Sequence, residues 1–157
     1  MPLRNNHITE LRRYHIGDMA DIERLCFSQP WSEADLQLEV TNPLAFYRVC
    51  EAEDGRVLGY IGTRIVHGEC YITNVAVHPD SRRSGIAQRL LAALEDWARE
   101  QGISMMTLEV RESNTPARTF YEKAGFVIMG LRKGYYDLPT EDAVLMTKML
   151  TLIEIEL

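Results

Sequence analysis

The sequence predicts a mixed α/β fold (α+β type) in which a mostly antiparallel central sheet is flanked by helices. Apolar runs of strand length alternate along the chain with segments whose apolar residues recur at helical spacing. The 157 residues, 46% hydrophobic and 25% charged, have the size and composition of one globular domain. We therefore expect a single domain over residues 1–157, with residues 150–157 as a C-terminal extension.

The first half of the chain predicts a strand, two helices and three further strands. Met19 and Ile22 recur at helical spacing, and Ser32 is a good N-cap for a second helix, with Asp35 three residues later. Asp54-Gly55 is a strong hairpin signal between two strand-like runs. In order, the predicted elements are a strand at 7–14, helices at 17–27 and from Ser32 to Val40, and strands at 45–51, 56–66 and 70–77.

The second half predicts two more helices that alternate with strands. Ile86, Leu90 and Leu94 lie on one face of the first helix, and Gly102 follows it in a position typical of a C-cap. The remaining elements are a strand at 103–110, a helix at about 116–124, and strands at 126–132 and 143–149. The complete order is β-α-α-β-β-β-α-β-α-β-β.

The junction between the strand ending at Val77 and the next helix predicts a phosphate-binding loop. The apolar run stops at His78, and a short polar loop then leads into the helix. Backbone N–H groups at a helix start have no intrahelical acceptor, and the helix dipole adds partial positive charge there. Gly85 lets the backbone approach a ligand, and the side chains of Arg82, Arg83 or Arg89 add charge-assisted contacts.

The spacing of this loop favours one class of phosphate ligand. It contains neither the Walker pattern nor the glycine pattern of dinucleotide-binding folds. The pattern Arg82-x-x-Gly85-x-Ala87 instead resembles the [QR]-x-x-G-x-[GA] signature of the GCN5-related N-acetyltransferases (GNAT), which bind acetyl-coenzyme A (acetyl-CoA). The alternative at this point is an ordinary solvated loop with a helix start.

A second group of motifs narrows the resemblance. The chain contains L-E-V-R-x-S-N over 108–114, Y-E-x-x-G-F over 121–126, an Arg-Lys-Gly-Tyr-Tyr segment at 132–136 and D-A-x-x-M over 142–146. With Pro30-Trp31-Ser32, these resemble the RimI-like branch of the GNAT superfamily, the protein N-terminal alanine acetyltransferases. The resemblance implies the GNAT fold and covers almost the whole chain.

The resemblance also implies a role for each candidate site residue. Glu109 becomes the general base and Tyr121 the general acid that protonates the departing thiolate. No cysteine is near either residue in sequence, so we expect direct transfer without an acetyl-enzyme. The implied cofactor-binding residues are Val75, Ala76 and Val77 for the pantetheine arm, Arg82, Arg83, Ser84, Gly85, Ile86, Ala87 and Gln88 for the pyrophosphate, and Asn114 near the thioester. The implied substrate-binding residues are Trp31, Tyr135 and Tyr136, the two tyrosines in a loop that closes over the substrate.

Each role has a simpler alternative. Glu109 could be a strand-end carboxylate paired with Arg111, and Tyr121 could be a packing residue of its helix. Asn114 could serve only as a helix cap, and Tyr135 and Tyr136 could be plain core or rim aromatics. Residue type alone does not decide between these readings.

Amine chemistry favours an N-terminal substrate. Deprotonation at pH 7 costs about 1.4 kcal/mol for an α-amine with a pKa of about 8, and nearly 5 kcal/mol for a lysine with a pKa of about 10.4. The resemblance names the N-terminal alanine of a small-subunit ribosomal protein as the preferred substrate, and the net charge of −6 suits a basic partner. A GNAT enzyme for small amines or lysines, and a non-catalytic acyl-CoA sensor, remain the alternatives.

Other features predict what the protein lacks. We expect no metal site, because the four histidines have no ligand spacing and should be solvated or capping. The acidic charge argues against direct nucleic-acid binding, and without a signal peptide or membrane-length apolar run we expect a cytoplasmic protein with no membrane contact. Cys26, Cys50 and Cys70 should be buried free thiols. The alternating apolar residues of 150–157 predict weak homodimer formation.

Overall fold

The computed structural model describes residues 5–150, and its helices and strands follow the predicted order. Two short 3-10 turns, Arg13–His15 and Pro79–Ser81, are added to that order. The elements are β1 (Asn6–Glu10), α1 (Ile16–Cys26), α2 (Glu33–Val40), β2 (Ala45–Ala52), β3 (Val57–Val66), β4 (Glu69–Val77), α3 (Ile86–Glu100), β5 (Met105–Arg111), α4 (Thr115–Lys123), β6 (Val127–Tyr136) and β7 (Glu141–Met149).

The strands form a seven-stranded mixed sheet in the order β1-β2-β3-β4-β5-β7-β6. The pairs β1–β2, β2–β3, β5–β7 and β6–β7 are antiparallel. Strands β4 and β5 are parallel, with Cys70 opposite Met106 and Tyr71 opposite Thr107. The predicted fold class, a mostly antiparallel sheet with helices, is confirmed.

The chain divides into two compact units. Unit 1 contains the described residues up to Ile65 together with Ile72–Trp97, and unit 2 contains Val66–Tyr71 and the described residues from Ala98 onward. The single domain over 1–157 stays a prediction. Residues 151–157 lie outside the described part of the chain, so the extension at 150–157 and the weak homodimer also stay predictions.

Unit 1 has a buried polar network inside its apolar core. The Glu23 carboxylate of α1 accepts hydrogen bonds from the Tyr60 hydroxyl and from Asn74 Nδ2, the latter at 3.0 Å. The Tyr47 hydroxyl donates to Asn74 Oδ1 at 3.2 Å. Gly62 lies beside Tyr47 and Asn74, so closely that a Cβ there would approach both side chains to less than 3.0 Å. The network therefore requires glycine at that position.

Local start and stop signals were predicted well where they depend on neighbours in sequence. Ser32 Oγ accepts from the Asp35 N–H at 3.1 Å and Asp35 returns the bond, which forms the predicted capping box at the start of α2. The turn at Asp54-Gly55 joins β2 and β3, and Gly55 adopts a φ of +88°. All three cysteines are free thiols, but only Cys50 and Cys70 are buried, so the prediction is wrong for half-exposed Cys26.

The first predicted strand is too long. It ends at Glu10, and Arg13–His15 forms a 3-10 turn in place of its second half. The reason is His15, whose Nδ1 accepts the Arg12 N–H at 2.9 Å while Nε2 lies 2.5 Å from Glu51. This histidine caps a turn as predicted, yet it is fully buried rather than solvated.

The sixth strand is longer than predicted and changes the position of two candidate substrate residues. Strand β6 runs past Arg132 to Tyr136, which pairs with Glu141 of β7. Gly134, at φ +63°, donates its N–H to the Asp142 carboxylate at 2.8 Å across the irregular part of this ladder. Tyr135 and Tyr136 therefore end a strand, and the predicted loop position is wrong.

Residues 5–150 contain neither a membrane-spanning helix nor a cluster of metal-ligating side chains. No helix within residues 5–150 has the length and apolar character needed to cross a membrane. In the same part of the chain, no group of three or more His, Cys, Asp or Glu side chains is arranged to hold a metal ion.

Candidate active site

The predicted phosphate-binding loop lies in unit 1 and is built by one turn and two residues with positive φ. After β4, His78 Nδ1 caps the 3-10 turn by accepting the Asp80 N–H at 3.1 Å. Arg83 and Gly85 then adopt φ values of +62° and +78°. Helix α3 follows, and its first helical hydrogen bond runs from the Arg89 N–H to the Gly85 carbonyl at 3.1 Å.

This geometry leaves the N–H groups of the first helical turn available to an anion. The residues before Arg89 have no acceptor within the helix, and the positive end of the helix dipole lies here. Ile86 has a buried side chain, so it can offer only its backbone. Gly85 is needed for its positive φ rather than for space, since a Cβ there would meet only Gln88 Oε1, at 3.9 Å.

The arginines of the loop have different surroundings. Arg82 donates from Nε to the Val77 carbonyl at 3.4 Å, and its Nη2 lies 3.3 Å from Cys26 Sγ. Arg89 donates to the Asn6 side chain on β1. The guanidinium of exposed Arg83 has no hydrogen bond or ion pair within residues 5–150, so it is the arginine that a phosphate group would engage without breaking another contact.

The second candidate group lies in unit 2 and centres on Glu109 of β5. Its side chain is only 3% exposed, and Oε1 accepts from Arg132 Nε at 3.0 Å. Oε2 is buried and has no hydrogen-bond partner among the described residues. Burial raises the pKa of this carboxyl, and the positive charge of Arg132 partly opposes that rise.

The alternative role of Glu109, pairing with Arg111, is wrong. Arg111 Nη1 lies 3.4 Å from the Glu141 carboxylate and also donates to the Pro139 carbonyl at 2.9 Å. Its guanidinium lies over the ring of Tyr136, 4.4 Å from the centroid. The partner of Glu109 is Arg132. This arginine belongs to the Arg-Lys-Gly-Tyr-Tyr motif, but the sequence analysis gave it no role.

Tyr121 of α4 is buried among aromatic rings. It is 7% exposed and makes edge-to-face contacts with Phe120 and Phe126, at centroid distances of 5.1 and 5.3 Å. Burial raises its pKa well above the usual value for a phenol, and Tyr136 adds to the rise. Within residues 5–150 no hydrogen bond is formed by its hydroxyl. The packing role is thus real, and the hydroxyl remains available for a second role.

The two tyrosines at the end of β6 lie near the same carboxylate. Their rings meet edge to face at a centroid distance of 5.0 Å. Burial raises the pKa of Tyr136 to about 12, and the charge of Glu109 contributes to the rise at both phenols. Tyr135 is exposed and its ring lies 5.9 Å from the Arg132 guanidinium carbon. Tyr135 and Tyr136 therefore both lie within the electrostatic influence of Glu109.

The remaining candidates have structural contacts of their own. Asn114 Oδ1 accepts the Ala117 N–H at 3.2 Å, so it caps α4. Trp31 of unit 1 is half-buried, its backbone N–H donates to the Glu23 carboxylate at 3.4 Å, and its ring lies under the Arg64 guanidinium at 5.9 Å. A cap and an edge-of-core aromatic can also contact a ligand.

Comparison with known proteins identifies the family. The model of the acetyltransferase (GNAT) family matches residues 16–126, which is more than half of the chain. The chain belongs to the GNAT family. An Escherichia coli relative, named [ribosomal protein bS18]-alanine N-acetyltransferase, is 31% identical over 145 residues, covering 90% of this chain and 95% of that protein.

Solved GNAT structures agree with this assignment. The crystal structure of the ribosomal-protein-S18-alanine N-acetyltransferase from Escherichia coli is 28% identical, with a TM-score of 0.86 and coverage of 98% of this chain and 99% of that chain. The fold is also shared by the PaiA N-acetyltransferase from Thermoplasma acidophilum, solved in complex with coenzyme A, at 18% identity, a TM-score of 0.76 and coverage of 92% and 99%. The predicted resemblance to the RimI-like GNAT branch and the prediction of an N-acetyltransferase are confirmed.

The described residues fit a coenzyme A ligand of the GNAT type. The N–H groups at the start of α3, which have no acceptor within the helix, suit a pyrophosphate together with exposed Arg83. In unit 2, the buried and unpartnered Oε2 of Glu109 suits a hydrogen-bond donor from a substrate. Both features can therefore take polar partners that residues 5–150 do not supply.

Proposed function

We propose that this protein transfers an acetyl group from acetyl-CoA to the α-amine of an N-terminal alanine, on a small-subunit ribosomal protein corresponding to bS18. The observation that carries the proposal is the Glu109 carboxylate, which is buried, held at one oxygen by Arg132 and unpartnered at the other. The name of the Escherichia coli relative supports the choice of amine. Such a substrate would require the enzyme in the cytoplasm.

Glu109 is suited to accept the proton of an ammonium group. A carboxylate in a buried position has a raised pKa, which makes it a stronger base than an exposed carboxylate. An α-ammonium needs about 1.4 kcal/mol for deprotonation at pH 7, against nearly 5 kcal/mol for a lysine. Glu109 Oε2 would remove one ammonium proton, directly or through a water molecule, before the attack. The neutral amine nitrogen would then bond to the acetyl carbon and lose its second proton to water as the carbon–sulfur bond breaks.

Tyr121 is the proposed proton donor to the leaving thiolate. Bound acetyl-CoA supplies the thioester, whose carbon–sulfur bond breaks as the new amide forms. The raised pKa keeps Tyr121 protonated at neutral pH, so a proton is always present for donation. It also makes the phenol a weaker acid than the ordinary pKa of about 10 assumes, so donation to a thiol of pKa about 8.5 is further uphill than in water.

The other proposed contacts divide between the two units. In unit 1, the backbone of Val75–Val77 and the loop from Arg82 to Gln88 would hold the cofactor, and Trp31 would contact the substrate. In unit 2, Asn114 would bind the cofactor near the thioester, and Tyr135 and Tyr136 would contact the substrate peptide. Exposed Tyr135 and half-buried Tyr136 can both present ring surface to a ligand.

Mass spectrometry of a peptide panel incubated with acetyl-CoA tests this function. Peptides that start with Ala, Ser, Gly or Met, each with an internal lysine, compete with spermidine as a free amine. We expect acetylation at the N-terminus of the Ala peptide and none at lysine. Acetylated spermidine with unmodified peptides would indicate a small-amine enzyme, and coenzyme binding without any product, also on folded bS18, would indicate a sensor.

A further inference from the structure

The register of unit 2 places one arginine diagonally across from Glu109. In the β5–β7–β6 sheet, Glu109 stands opposite Leu145, and Leu145 stands opposite Gly130. Residues in such a row share one face of a sheet, and Arg132 lies two positions farther along β6 on that face. The Arg132 side chain therefore reaches the Glu109 carboxylate across β7, on the face that both residues share.

Arg132 binds only half of that carboxylate. Its Nε donates to Oε1 at 3.0 Å, whereas Oε2 is buried without a partner in the described part of the chain. An arginine can hold both oxygens of a carboxylate with its fork of N–H groups. Here a single contact fixes the carboxylate and leaves one acceptor unoccupied.

We propose that Arg132 is a positioning residue, which anchors Oε1 of Glu109 so that Oε2 is presented to the incoming amine. This rests on the proposed function of Glu109 as the base. Arg132 itself is 56% exposed at its side chain, so it binds Glu109 from the solvent side while the carboxylate stays 3% exposed. Free rotation of the carboxylate would cost alignment with the amine, and misplacement by about 1 Å can cost about a hundredfold in rate.

The other ionisable groups around Glu109 do not provide the same contact. Tyr135 and Tyr136 of β6 face it as neutral phenols, since burial raises the pKa of both. Arg111 of β5 is engaged by Glu141 of β7. Removal of Arg132 should therefore leave Glu109 without a cation, and the pKa of its carboxyl should rise further.

The test compares Arg132→Gln, Arg132→Lys and Arg64→Gln with the unchanged protein. The last variant is a matched control, because Arg64 is 46% exposed and pairs with Glu39, which is 2% exposed and also has a buried, unpartnered Oε2. Two readouts are used: the pH profiles of kcat and kcat/KM with the Ala peptide, and the NMR titration of 13C-labelled glutamate carboxyl carbons. Glu109→Gln identifies the Glu109 signal.

We expect Arg132→Gln to move the acidic limb of kcat/KM and the NMR midpoint of Glu109 upward together, by about one pH unit or more. On the alkaline plateau, where Glu109 is ionised in every variant, kcat should fall by about ten- to a hundredfold with little change in KM. Arg132→Lys keeps the positive charge but not the geometry of the guanidinium contact. It should therefore restore the pH of the acidic limb of kcat/KM more fully than it restores kcat on the alkaline plateau. Arg64→Gln should leave the Glu109 midpoint unchanged.

An unchanged NMR midpoint in Arg132→Gln, with its fold intact by circular dichroism, would overturn the proposal. A kcat for Arg132→Gln that equals that of the unchanged protein on the alkaline plateau would also overturn it. If the unchanged protein transfers no acetyl group to any peptide, the proposed function fails, and with it the positioning role. The NMR titration then still reports whether Arg132 sets the ionisation of Glu109, so the two failures are distinguishable.

Discussion

Two glycines of β3 allow the cofactor-binding loop to be perturbed separately from the core of unit 1. Gly59 and Gly62 are three residues apart, so they face opposite sides of the strand. A Cβ at Gly59 would lie 2.9 Å from the Ala76 carbonyl oxygen and 3.2 Å from side-chain carbons of Val77 and Ile86. These neighbours form the end of β4 and the first residue of α3, where we propose that the cofactor binds.

The substitution Gly59→Ala should displace backbone, because a carbonyl oxygen closer than 3.0 Å cannot move aside as a flexible side chain can. Overpacking of this kind costs about 1–3 kcal/mol. For a chain of this size each kcal/mol lowers Tm by about 2–4 °C. The KM for acetyl-CoA should rise about tenfold or more, since small displacements of binding groups weaken alignment strongly.

The substitution Gly62→Ala should lower the stability of the protein more than Gly59→Ala does, and should raise the KM for acetyl-CoA less. Its Cβ would overlap with the side chains of Tyr47 and Asn74. Their hydrogen bond would break, and the buried Asn74 amide would lose a hydrogen-bond partner. Overpacking adds about 1–3 kcal/mol and the unsatisfied group about 1–3 kcal/mol more. Gly130→Ala is the control, because a Cβ there meets nothing within 4 Å.

Thermal unfolding and a titration of acetyl-CoA against initial rate measure both effects. The expected order of destabilisation is Gly62→Ala, then Gly59→Ala, then Gly130→Ala. Among the three variants, Gly59→Ala should show the largest increase in the KM for acetyl-CoA. If Gly62→Ala raises the cofactor KM as much as Gly59→Ala does, the loop at the start of α3 is not the binding element and the reasoning is wrong.

Three further predictions concern individual side chains. Glu109→Gln should lower kcat by about 10²- to 10⁴-fold and leave stability equal or higher at pH 7, because the pKa of this buried carboxyl is raised; Glu39→Gln, with the same buried geometry, should keep its activity. Tyr121→Phe should lower kcat by about a hundredfold with an unchanged Tm, since only the hydroxyl is lost. Glu51→Gln should destabilise the protein at pH 7 in urea unfolding. Hydrogen bonds from Tyr14 and then His15 lower the pKa of Glu51, so its stabilisation is present above about pH 4.3 and is lost as pH falls through the folded pKa. A constant difference between Glu51→Gln and the unchanged protein down to pH 2 would contradict this assignment.

The sequence predicted the parts of the fold and site that depend on neighbours along the chain. The cap at Ser32, the turn at Gly55 and the loop around Gly85 each follow from a few adjacent residues. It did not predict that Glu23 would organise a buried network, because the partners of Glu23 lie on β3 and β4, 37 and 51 residues away. Its position on α1 resembles that of any other helical glutamate.

The choice between two arginines shows why the pairing of Glu109 with Arg132 could not be predicted from the sequence. Arg111 is two residues from Glu109 on the same strand, and through Ala143 it stands in one row with Arg132. The short distance in sequence favours Arg111 as the partner of Glu109. In the structure, however, Arg111 contacts the end of the β6–β7 pair instead of Glu109. There Glu141 and the carbonyls of Asp137 and Pro139 satisfy the Arg111 guanidinium.

Arg132 is then the cation left for Glu109 within the described strands. Its approach depends on the register of β6 against β7, which pairs Arg132 with Ala143 and so puts it on the same face of the sheet as Glu109. A one-residue slip of β6 would turn Arg132 to the other face of the sheet and leave Glu109 without a charged partner. The proposed base thus owes its charged partner to a strand register that forms only when unit 2 folds.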